Sequence, residues 1–281
     1  MRSASLFLLV SFSFVMAAPP AAAAESCGEV VTITTHDGTT TRLSVAGPQA
    51  GQAARGALVL LPGGGGFLDL DDAGCPRALK GNSLVRSLAL FHGAGFVTAL
   101  VDAPSDQQGE DGLGGFRVDA RHAEDLGKVI ADMRARTKGP VWLVGTSRGS
   151  ISAVNAASRL AGAAAPDGLV ITSPVTSGHR GGRKAWVAQT VFDLPLEDIR
   201  MPVLVVGHAE DKCIRTPPDQ LESIAARTNG AREQVVLVTG GPGKAGGPSV
   251  NACEGRSPHG FVEQEAEVAA GIARFIGGGS Y

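Results

Sequence analysis

The sequence predicts an α/β protein with a mostly parallel sheet and helices packed on both faces. Short apolar runs of strand length alternate with longer segments whose apolar residues recur at helical spacing. The 281 residues suffice for one domain with a sizeable core, and no internal repeat or domain linker is visible. The 25 Lys and Arg nearly balance the 27 Asp and Glu. No strong field therefore favours nucleic acid or an acidic membrane surface.

Eight strands and five helices are predicted, in alternation after an initial hairpin. Residues 30–35 and 40–45 alternate in polarity around Asp37-Gly38, which predicts a hairpin at the antiparallel edge of the sheet. The other strands are predicted at 57–61, 96–101, 141–144, 168–172, 202–207 and 234–239. The helices are predicted at 84–91, 119–137, 151–160, 218–228 and 261–276. Polar or Gly-rich loops are predicted at 105–117, 174–198 and 240–260.

The first 24 residues have the features of a secretory signal peptide. A basic residue precedes an apolar stretch at 6–15, which is too short for a typical bilayer span, and four alanines end at Ala24. We expect cleavage near Ala24, one mature domain over 25–281, and a periplasmic or secreted protein without stable membrane insertion after cleavage. Cys27 leaves a lipoprotein anchor as an alternative, although the three residues before it lack the usual pattern.

A candidate nucleophile follows the strand at 141–144. This strand is apolar throughout, which is typical of burial on both faces, and it ends in Gly-Thr-Ser-Arg-Gly at 145–149 before a helical segment. Gly-x-Ser-x-Gly between a strand and a helix indicates a strained turn that exposes the serine, while the glycines let the strand and helix approach closely. Ser147 is therefore the candidate nucleophile.

A base and an orienting carboxylate follow in a useful order. Asp211 lies a few residues past the strand at 202–207, and His259 lies after the last strand and before the last helix. In open α/β sheets, ligands bind at the carboxyl ends of the strands, so these residues are expected at the same edge as Ser147. Glu210 is a rival carboxylate. Two others precede the strand and fit less well: Asp193 and Asp198.

With these residues the chain resembles the α/β-hydrolase-fold serine hydrolases, from the first hairpin to the last helix. The resemblance implies a mostly parallel eight-stranded sheet with Ser147 as nucleophile, His259 as general base and Asp211 as its orienting acid. Pro217 supports Asp211, because the family often has a proline a few residues after this acid. No cofactor and no metal are implied.

The resemblance also predicts where an oxyanion would be bound. One donor should be the backbone N–H of Arg148, directly after the nucleophile, and the other should come from the Gly-rich loop after the strand at 57–61. Lipase-like members of the family often have His-Gly-Gly-Gly here, whereas this chain has Pro62 in the place of the histidine. Gly64 or Gly65 is the predicted second donor.

Four cysteines in an exported chain suggest two disulfides, and the spacing alone allows three pairings. The resemblance favours one of them. Cys213 and Cys253 lie close in sequence to the predicted acid and base, whose loops must be neighbours. If these two cysteines pair, Cys27 pairs with Cys75. Four buried thiols are the alternative.

Several other motifs have ordinary interpretations. The glycine runs at 63–66 and 240–247 do not match the dinucleotide-binding or phosphate-loop patterns. His122 shares a helical stripe with apolar residues and is predicted to be a core histidine. Four histidines lack ligands at zinc spacing: His36, His92, His179 and His208. Three nearby carboxylates lack a complete calcium loop and are expected in a solvated turn: Asp69, Asp71 and Asp72.

The sequence thus predicts an exported serine hydrolase that cleaves a carboxylic ester of a small molecule through an acyl-enzyme. The segment 174–198 is too short for a large lid, which favours small or soluble esters over long lipids. If its basic residues cover the site, they would favour an anionic acyl group: Arg180, Arg183 and Lys184. A peptidase or amidase, an acyl transferase and a non-catalytic binding protein on this fold are the alternatives.

Overall fold

An eight-stranded sheet forms the centre of the computed structural model, which describes residues 26–48 and 51–281. The strands are β1 Glu29–Thr34, β2 Thr40–Ala46, β3 Ala57–Leu61, β4 Val97–Val101, β5 Val141–Thr146, β6 Gly168–Thr172, β7 Val203–His208 and β8 Glu233–Val238. They lie in the order β1-β2-β4-β3-β5-β6-β7-β8. β2 is antiparallel to both of its neighbours, and every other neighbouring pair is parallel. The predicted fold class is confirmed. The predicted signal peptide at 1–24 lies outside the described residues.

The described residues form six α-helices, five between strands and one after β8: α1 Ser83–Arg86, α2 Leu88–Gly93, α3 Ala120–Thr137, α4 Gly149–Arg159, α5 Leu221–Ala225 and α6 Glu265–Ile276. Three predicted helices are wrong in their bounds. The segment 84–91 forms two short helices that meet at Ser87, and 218–228 forms a 3₁₀ turn followed by α5. The last helix begins at Glu265 because Phe261 and Glu263 have φ of 53° and 62°, outside the helical region.

Two apolar layers cover the faces of the sheet. Alternate residues of β3 point to opposite faces, as the pleat of a strand requires. Val59 packs with residues of α3 and α4 on one face, while Leu58 packs with residues of α2 and α6 on the other. Among the described residues, no helix has both the length and the apolar character that a membrane span needs.

The register of β3 and β5 positions the candidate site. Leu61 at the end of β3 pairs with Gly145 near the end of β5, so the two strands end side by side. The Gly-rich loop after β3 and the turn at Ser147 therefore leave the sheet at neighbouring points. β6 and β7 continue the parallel sheet on the other side of β5, and the loops that carry Asp211 and His259 follow at the same edge.

Candidate active site

Ser147 lies in a sharp turn between β5 and α4. Its φ of 51° is in the left-handed region, which residues with a side chain rarely adopt. The flanking glycines make room for the turn. A Cβ on Gly145 would lie 2.5 Å from the Gly149 carbonyl oxygen, and a Cβ on Gly149 would collide with the Leu61 carbonyl oxygen. The Ser147 N–H donates to the Thr172 carbonyl at 2.9 Å, which fixes the turn to β6.

His259 and Asp211 are in direct contact and almost fully buried. His259 Nδ1 lies 2.9 Å from Asp211 Oδ2, and their side chains are 4% and 1% exposed. Because an ionised carboxylate only accepts hydrogen bonds, Nδ1 is the nitrogen that donates to it, and Nε2 is the nitrogen that can accept a proton in the neutral imidazole. Thr216 Oγ1 donates to the same carboxylate oxygen at 2.8 Å, and the Cys213 N–H donates to Asp211 Oδ1 at 2.8 Å. The rival Glu210 is exposed.

One cavity of about 250 Å³ joins the predicted nucleophile and the predicted base. Ser147 and His259 both line it, together with Gly63 and Gly64 of the loop after β3. The other lining residues are Leu79, Gly81, Asn82, Ser83, Thr146, Cys253, Gly255 and Gly260. The cavity therefore brings the serine and the imidazole to the same small space at the carboxyl edge of the sheet.

The Gly-rich loop approaches the serine more closely than a chain with side chains could. A Cβ on Gly63 would lie 2.8 Å from Ser147 Cβ. Gly64 lines the cavity, whereas Gly65 faces Gly112 and its carbonyl accepts a hydrogen bond from the Leu113 N–H at 2.8 Å. Of the two donors predicted in this loop, the geometry favours Gly64. The sequence did not single out Gly63.

The loop that carries His259 is held from several sides. Ser173 has φ 42° at the end of β6, and its hydroxyl donates to the His259 carbonyl at 2.8 Å. A disulfide joins Cys213 to Cys253 and so connects the loop of the acid with the loop of the base. The second disulfide joins Cys27, just before β1, to Cys75. These are the two pairs that the sequence favoured.

Arg86 on α1 fixes the same histidine loop through its guanidinium group. Nη1 donates to the carbonyls of Gly81 and Gly255, the latter at 2.9 Å, and Nη2 donates to the Gly260 carbonyl at 2.7 Å. Nε donates to Glu265 at 2.8 Å, so this arginine has a counter-ion. Gly81, Gly255 and Gly260 all line the cavity. Arg86 therefore holds one wall of the cavity together.

The side chain of Arg148 turns toward the segment 174–198. Its guanidinium carbon lies 3.8 Å from the centre of the Trp186 ring, which is a cation–π geometry. Burial, together with the positive charge of Arg215, lowers the pKa of Arg148 to about 10. The group therefore stays protonated at neutral pH. Its backbone N–H directly follows the serine, as the sequence predicts for an oxyanion donor.

The basic residues of the segment 174–198 do not form one positive surface. Lys184 pairs with Glu110 at 3.0 Å and also with Asp111, so two carboxylates of the loop 105–117 neutralise it. Hydrogen bonding to Asp111 and then to Glu110 raises the pKa of Lys184. Arg180 and Arg183 are exposed to solvent. None of these three basic residues lines the cavity, so the structure gives no support for the expected preference for an anionic acyl group.

The remaining histidines have ordinary partners. His36 lies between Asp125 at 2.6 Å and Asp106 at 3.1 Å, and His92 Nε2 lies 2.8 Å from Thr98 Oγ1. His208 Nε2 contacts the Gln264 side chain and the Gly240 carbonyl, and His179 is exposed. His122 is buried on α3 beside Ser152, as its apolar stripe predicts. Asp69, Asp71 and Asp72 lie in the turn before Cys75, and Asp71 Oδ1 accepts two backbone N–H groups there.

Within the described part of the chain, one set of potential metal ligands is close enough to share an ion: Asp211, Cys213 and His259. The sulfur of Cys213 is in a disulfide, so it offers no thiolate. Asp211 and His259 are also hydrogen-bonded to each other. The donor set does not fit a zinc site.

Four residues of this site were not predicted from the sequence: Gly63, Arg86, Ser173 and Thr216. Thr216 lies between Asp211 and Pro217, and a hydroxyl five residues after a predicted acid is the kind of signal that could have found it. Arg86 gave no such signal, because an isolated arginine in a sequence is most often exposed. Its role depends on contacts between residues far apart in the chain.

Comparison with known proteins supports the fold. No family model and no curated protein sequence matches the chain. Among solved structures, a proline iminopeptidase from Mycobacterium smegmatis matches with a TM-score of 0.62 and 13% identity over 89% of this chain and 98% of the other. Esterase 2 from Thermogutta terrifontis matches with a TM-score of 0.59 and 18% identity over 89% and 95%. A serine hydrolase homologue from Coxiella burnetii matches at 0.56 and 17% over 91% and 100%.

These similar structures include both an esterase and a peptidase, so the likeness concerns the architecture and does not separate the two activities. The strand order, the turn at Ser147 and the high coverage of the compared chains all indicate the same architecture. The described part of this chain has the α/β-hydrolase fold.

Proposed function

We propose that this protein is a serine hydrolase that cleaves carboxylic esters of small molecules through an acyl-enzyme on Ser147. The observation that carries the proposal is the shared cavity. A serine held at a φ of 51° and a histidine bonded to a buried carboxylate both line it. Strained residues are retained where the surrounding structure enforces them, and they cluster at active sites. This supports a chemical role for Ser147.

In the proposed reaction, Ser147 Oγ attacks the ester carbonyl carbon while His259 Nε2 accepts the hydroxyl proton. The bond to the alcohol then breaks, and His259 returns the proton to the leaving oxygen. Water repeats the sequence and releases the acid. Asp211 keeps the imidazole in the tautomer whose Nε2 can accept a proton, because its carboxylate is bonded to Nδ1 at 2.9 Å.

The negative charge of the tetrahedral intermediate needs donors that are in place beforehand. The N–H of Arg148 follows the serine, and the N–H of Gly64 belongs to the loop that lines the cavity. Each such donor contributes about 2.7–4 kcal/mol to lowering the barrier in known serine hydrolases. The cavity of about 250 Å³ suits a small acyl or alcohol group. The proposed substrates are therefore small esters, and the protein's own groups suffice for the reaction.

Labelling with a fluorophosphonate tests the proposal. This reagent reacts with an activated serine, so the oxidised wild-type protein should be labelled and Ser147→Ala should not. Ser83→Ala is the matched control, because Ser83 lines the same cavity. It should retain labelling at Ser147. A correctly oxidised wild type that stays unlabelled would contradict the proposal and favour a binding protein on this fold.

A panel of p-nitrophenyl esters with increasing acyl length, compared with aminoacyl anilides, separates an esterase from a peptidase or amidase. Turnover of short esters well above that of the anilides is the expected result. An added acceptor alcohol tests acyl transfer, since a transferase would form the new ester faster than the free acid. Dominant anilide cleavage or dominant transfer would replace the esterase proposal with the corresponding alternative.

We also propose that the protein is exported after removal of residues 1–24 and functions in the periplasm or outside the cell. The two disulfides support this, because such bonds persist mainly in oxidising compartments. Amino-terminal sequencing of the protein from the periplasm or the medium should give a start near Glu25. A protein recovered from the cytoplasm with Met1 intact would contradict the proposal.

A further inference from the structure

Arg117 carries a buried positive charge without a counter-ion. The residue lies in the short 3₁₀ helix Gly115–Val118, just before α3, and is 1% exposed. None of the ion pairs found within 26–48 and 51–281 includes it. Burial, together with the charge of Arg148, lowers the pKa of Arg117, but a guanidinium stays protonated in proteins. Burying a charge without an opposite charge costs folding free energy, so a buried arginine without a counter-ion suggests a functional role.

The hydrogen bonds of Arg117 end on the loop beside the serine. Nη2 donates to the Pro62 carbonyl at 3.2 Å and to the Gly64 carbonyl at 3.3 Å. Nη1 donates to Ser152 Oγ on α4 at 2.7 Å. A Cβ on Gly66 would lie 2.7 Å from Nη2, so the glycine permits this close approach. The guanidinium thus connects the loop to the helix that begins directly after the nucleophile turn.

We call residues 62–66 the oxyanion loop. All of the carbonyls from Pro62 to Gly65 have donors from within the protein. Arg117 binds the first and the third, the Gly66 N–H binds the Gly63 carbonyl at 3.1 Å, and the Leu113 N–H binds the Gly65 carbonyl. By contrast, among the hydrogen bonds of the described residues, none uses the N–H groups of residues 63–65. The loop therefore has occupied acceptors and available donors.

The geometry of the peptide bond links these two facts. In a trans peptide the N–H and C=O groups point in opposite directions, and no cis peptide occurs in the described residues. A peptide unit joins the carbonyl of one residue to the N–H of the next, so Arg117, by binding the Pro62 and Gly64 carbonyls, fixes the N–H groups of Gly63 and Gly65. The Gly64 N–H belongs to the unit between them, whose Gly63 carbonyl accepts from the Gly66 N–H. Arg117 therefore holds the peptide units on both sides of the Gly64 N–H. An oxyanion hole depends on donors that need no reorganisation when charge develops. A positive charge held behind those donors favours the same negative charge.

From this arrangement we propose that Arg117 is a positioning residue that orients the donors of the oxyanion loop for the reaction at Ser147. The proposal rests on the proposed function. It assigns no contact between Arg117 and the substrate, because the residue is buried behind the loop. Its effect should therefore appear in the chemical step more than in substrate binding, since the negative charge exists only after attack.

The test compares Arg117→Met and Arg117→Lys with the control Arg232→Met. Arg232 also donates to two main-chain carbonyls, those of Gly279 at 3.0 Å and Phe275 at 2.5 Å, but it lies away from the cavity. With p-nitrophenyl acetate, Arg117→Met should lower kcat about 100-fold, as the loss of an oxyanion donor does, while KM changes less than about threefold. The kcat of Arg117→Lys should be about tenfold higher than that of Arg117→Met. Arg232→Met should keep kcat within about twofold.

A purely structural role would give a different pattern. Arg117→Met would then lose thermal stability, as Arg232→Met would, without a selective loss of kcat, and this result would overturn the proposal. If Arg117→Met does not fold, Ser152→Ala keeps the arginine but removes the hydrogen bond that anchors Nη1 on α4, and a smaller selective loss of kcat is expected. An unchanged kcat in that variant would also overturn the proposal. An inactive, unlabelled wild type would instead overturn the proposed function, and the positioning role with it.

Discussion

The two sides of the candidate site are held in place by different means. The nucleophile side, with Ser147 and the oxyanion loop, directly adjoins the ends of β3 and β5, whose register places them side by side. On the base side Asp211 lies three residues after the end of β7, but His259 follows the end of β8 by about twenty residues. There the disulfide Cys213–Cys253 and Arg86 provide the contacts that strands provide on the nucleophile side. Residues next to a strand end are positioned by the sheet, whereas a residue far from a strand end, such as His259, is positioned by cross-links.

The largest expected effect is on the base side, where Asp211→Asn should lower kcat about 10³–10⁴-fold. An amide in place of the carboxylate can donate to Nδ1, which would favour the tautomer without a lone pair on Nε2. Glu210→Gln is the matched control, because Glu210 is adjacent in the chain but exposed, and it should keep nearly full activity. Steady-state kinetics with a p-nitrophenyl ester measure both variants. A larger loss of kcat in Glu210→Gln than in Asp211→Asn would make Glu210 the acid and would contradict the role given to Asp211.

The two disulfides allow a second test in which stability and activity separate. Their sequence separations of 40 and 48 residues are similar, so the chain-entropy model gives each about 4 kcal/mol of stabilisation. Replacing Cys213 and Cys253 by serine should also lower kcat/KM about tenfold to 100-fold, because small misplacements of a base are costly. Replacing Cys27 and Cys75 should leave kcat/KM within about twofold.

Urea unfolding measures the loss of stability, and steady-state kinetics on the same preparations measure the loss of activity. Both are done at a temperature where both variants are folded. Equal losses of activity in the two variants would mean that the site disulfide has no special role in holding the base side. Equal losses of stability, with a larger loss of activity when Cys213 and Cys253 are replaced, would support a role of this disulfide in positioning His259.

The same contrast explains how much the sequence could predict. The strands, the turn at Ser147 and the position of Asp211 follow from apolar periodicity and from residues near strand ends, which are local signals. His259 is indicated by its place in the order Ser, Asp, His, after the last strand. Arg117 and Arg86 act on loops about 50 and 170 residues away in the chain, and no local pattern encodes such contacts. The start of the last helix was wrong for a related reason. Phe261 is apolar and fits the helical period, but its φ of 53° serves the turn that presents His259.

A third test concerns acid stability on the nucleophile side. His122 lies beside Arg117, and both contact Ser152. Burial, and then the charge of Arg117, lowers the pKa of His122 to about 3. The unfolded chain takes up a proton near the ordinary histidine pKa of about 6.5, whereas the folded protein does not. Titration of His122 therefore leaves the free energy of unfolding unchanged above about pH 6.5. As the pH drops from there toward 3, this titration lowers the free energy of unfolding, by about 2 kcal/mol at pH 5.

His122→Gln removes this titration and should flatten the pH dependence of unfolding by about the same 2 kcal/mol between pH 6.5 and pH 5. Urea unfolding at several pH values measures the slope independently of any constant loss from the substitution. An unchanged slope would mean that His122 is protonated in the folded state, and that a second charge is tolerated next to Arg117.

The smallest expected effect concerns the loops above the site. Lys184 connects the segment 174–198 to the loop 105–117 through Glu110 and Asp111, and all three side chains are substantially exposed. Exposed ion pairs contribute little, so Lys184→Met should change KM for a neutral ester less than about threefold. Arg136→Met is the control, since Arg136 pairs with Asp132 on α3, both side chains are about one third exposed, and neither lines the cavity. A much larger rise in KM for Lys184→Met alone would show that this pair shapes the site, and that cross-links between loops matter on the nucleophile side as they do on the base side.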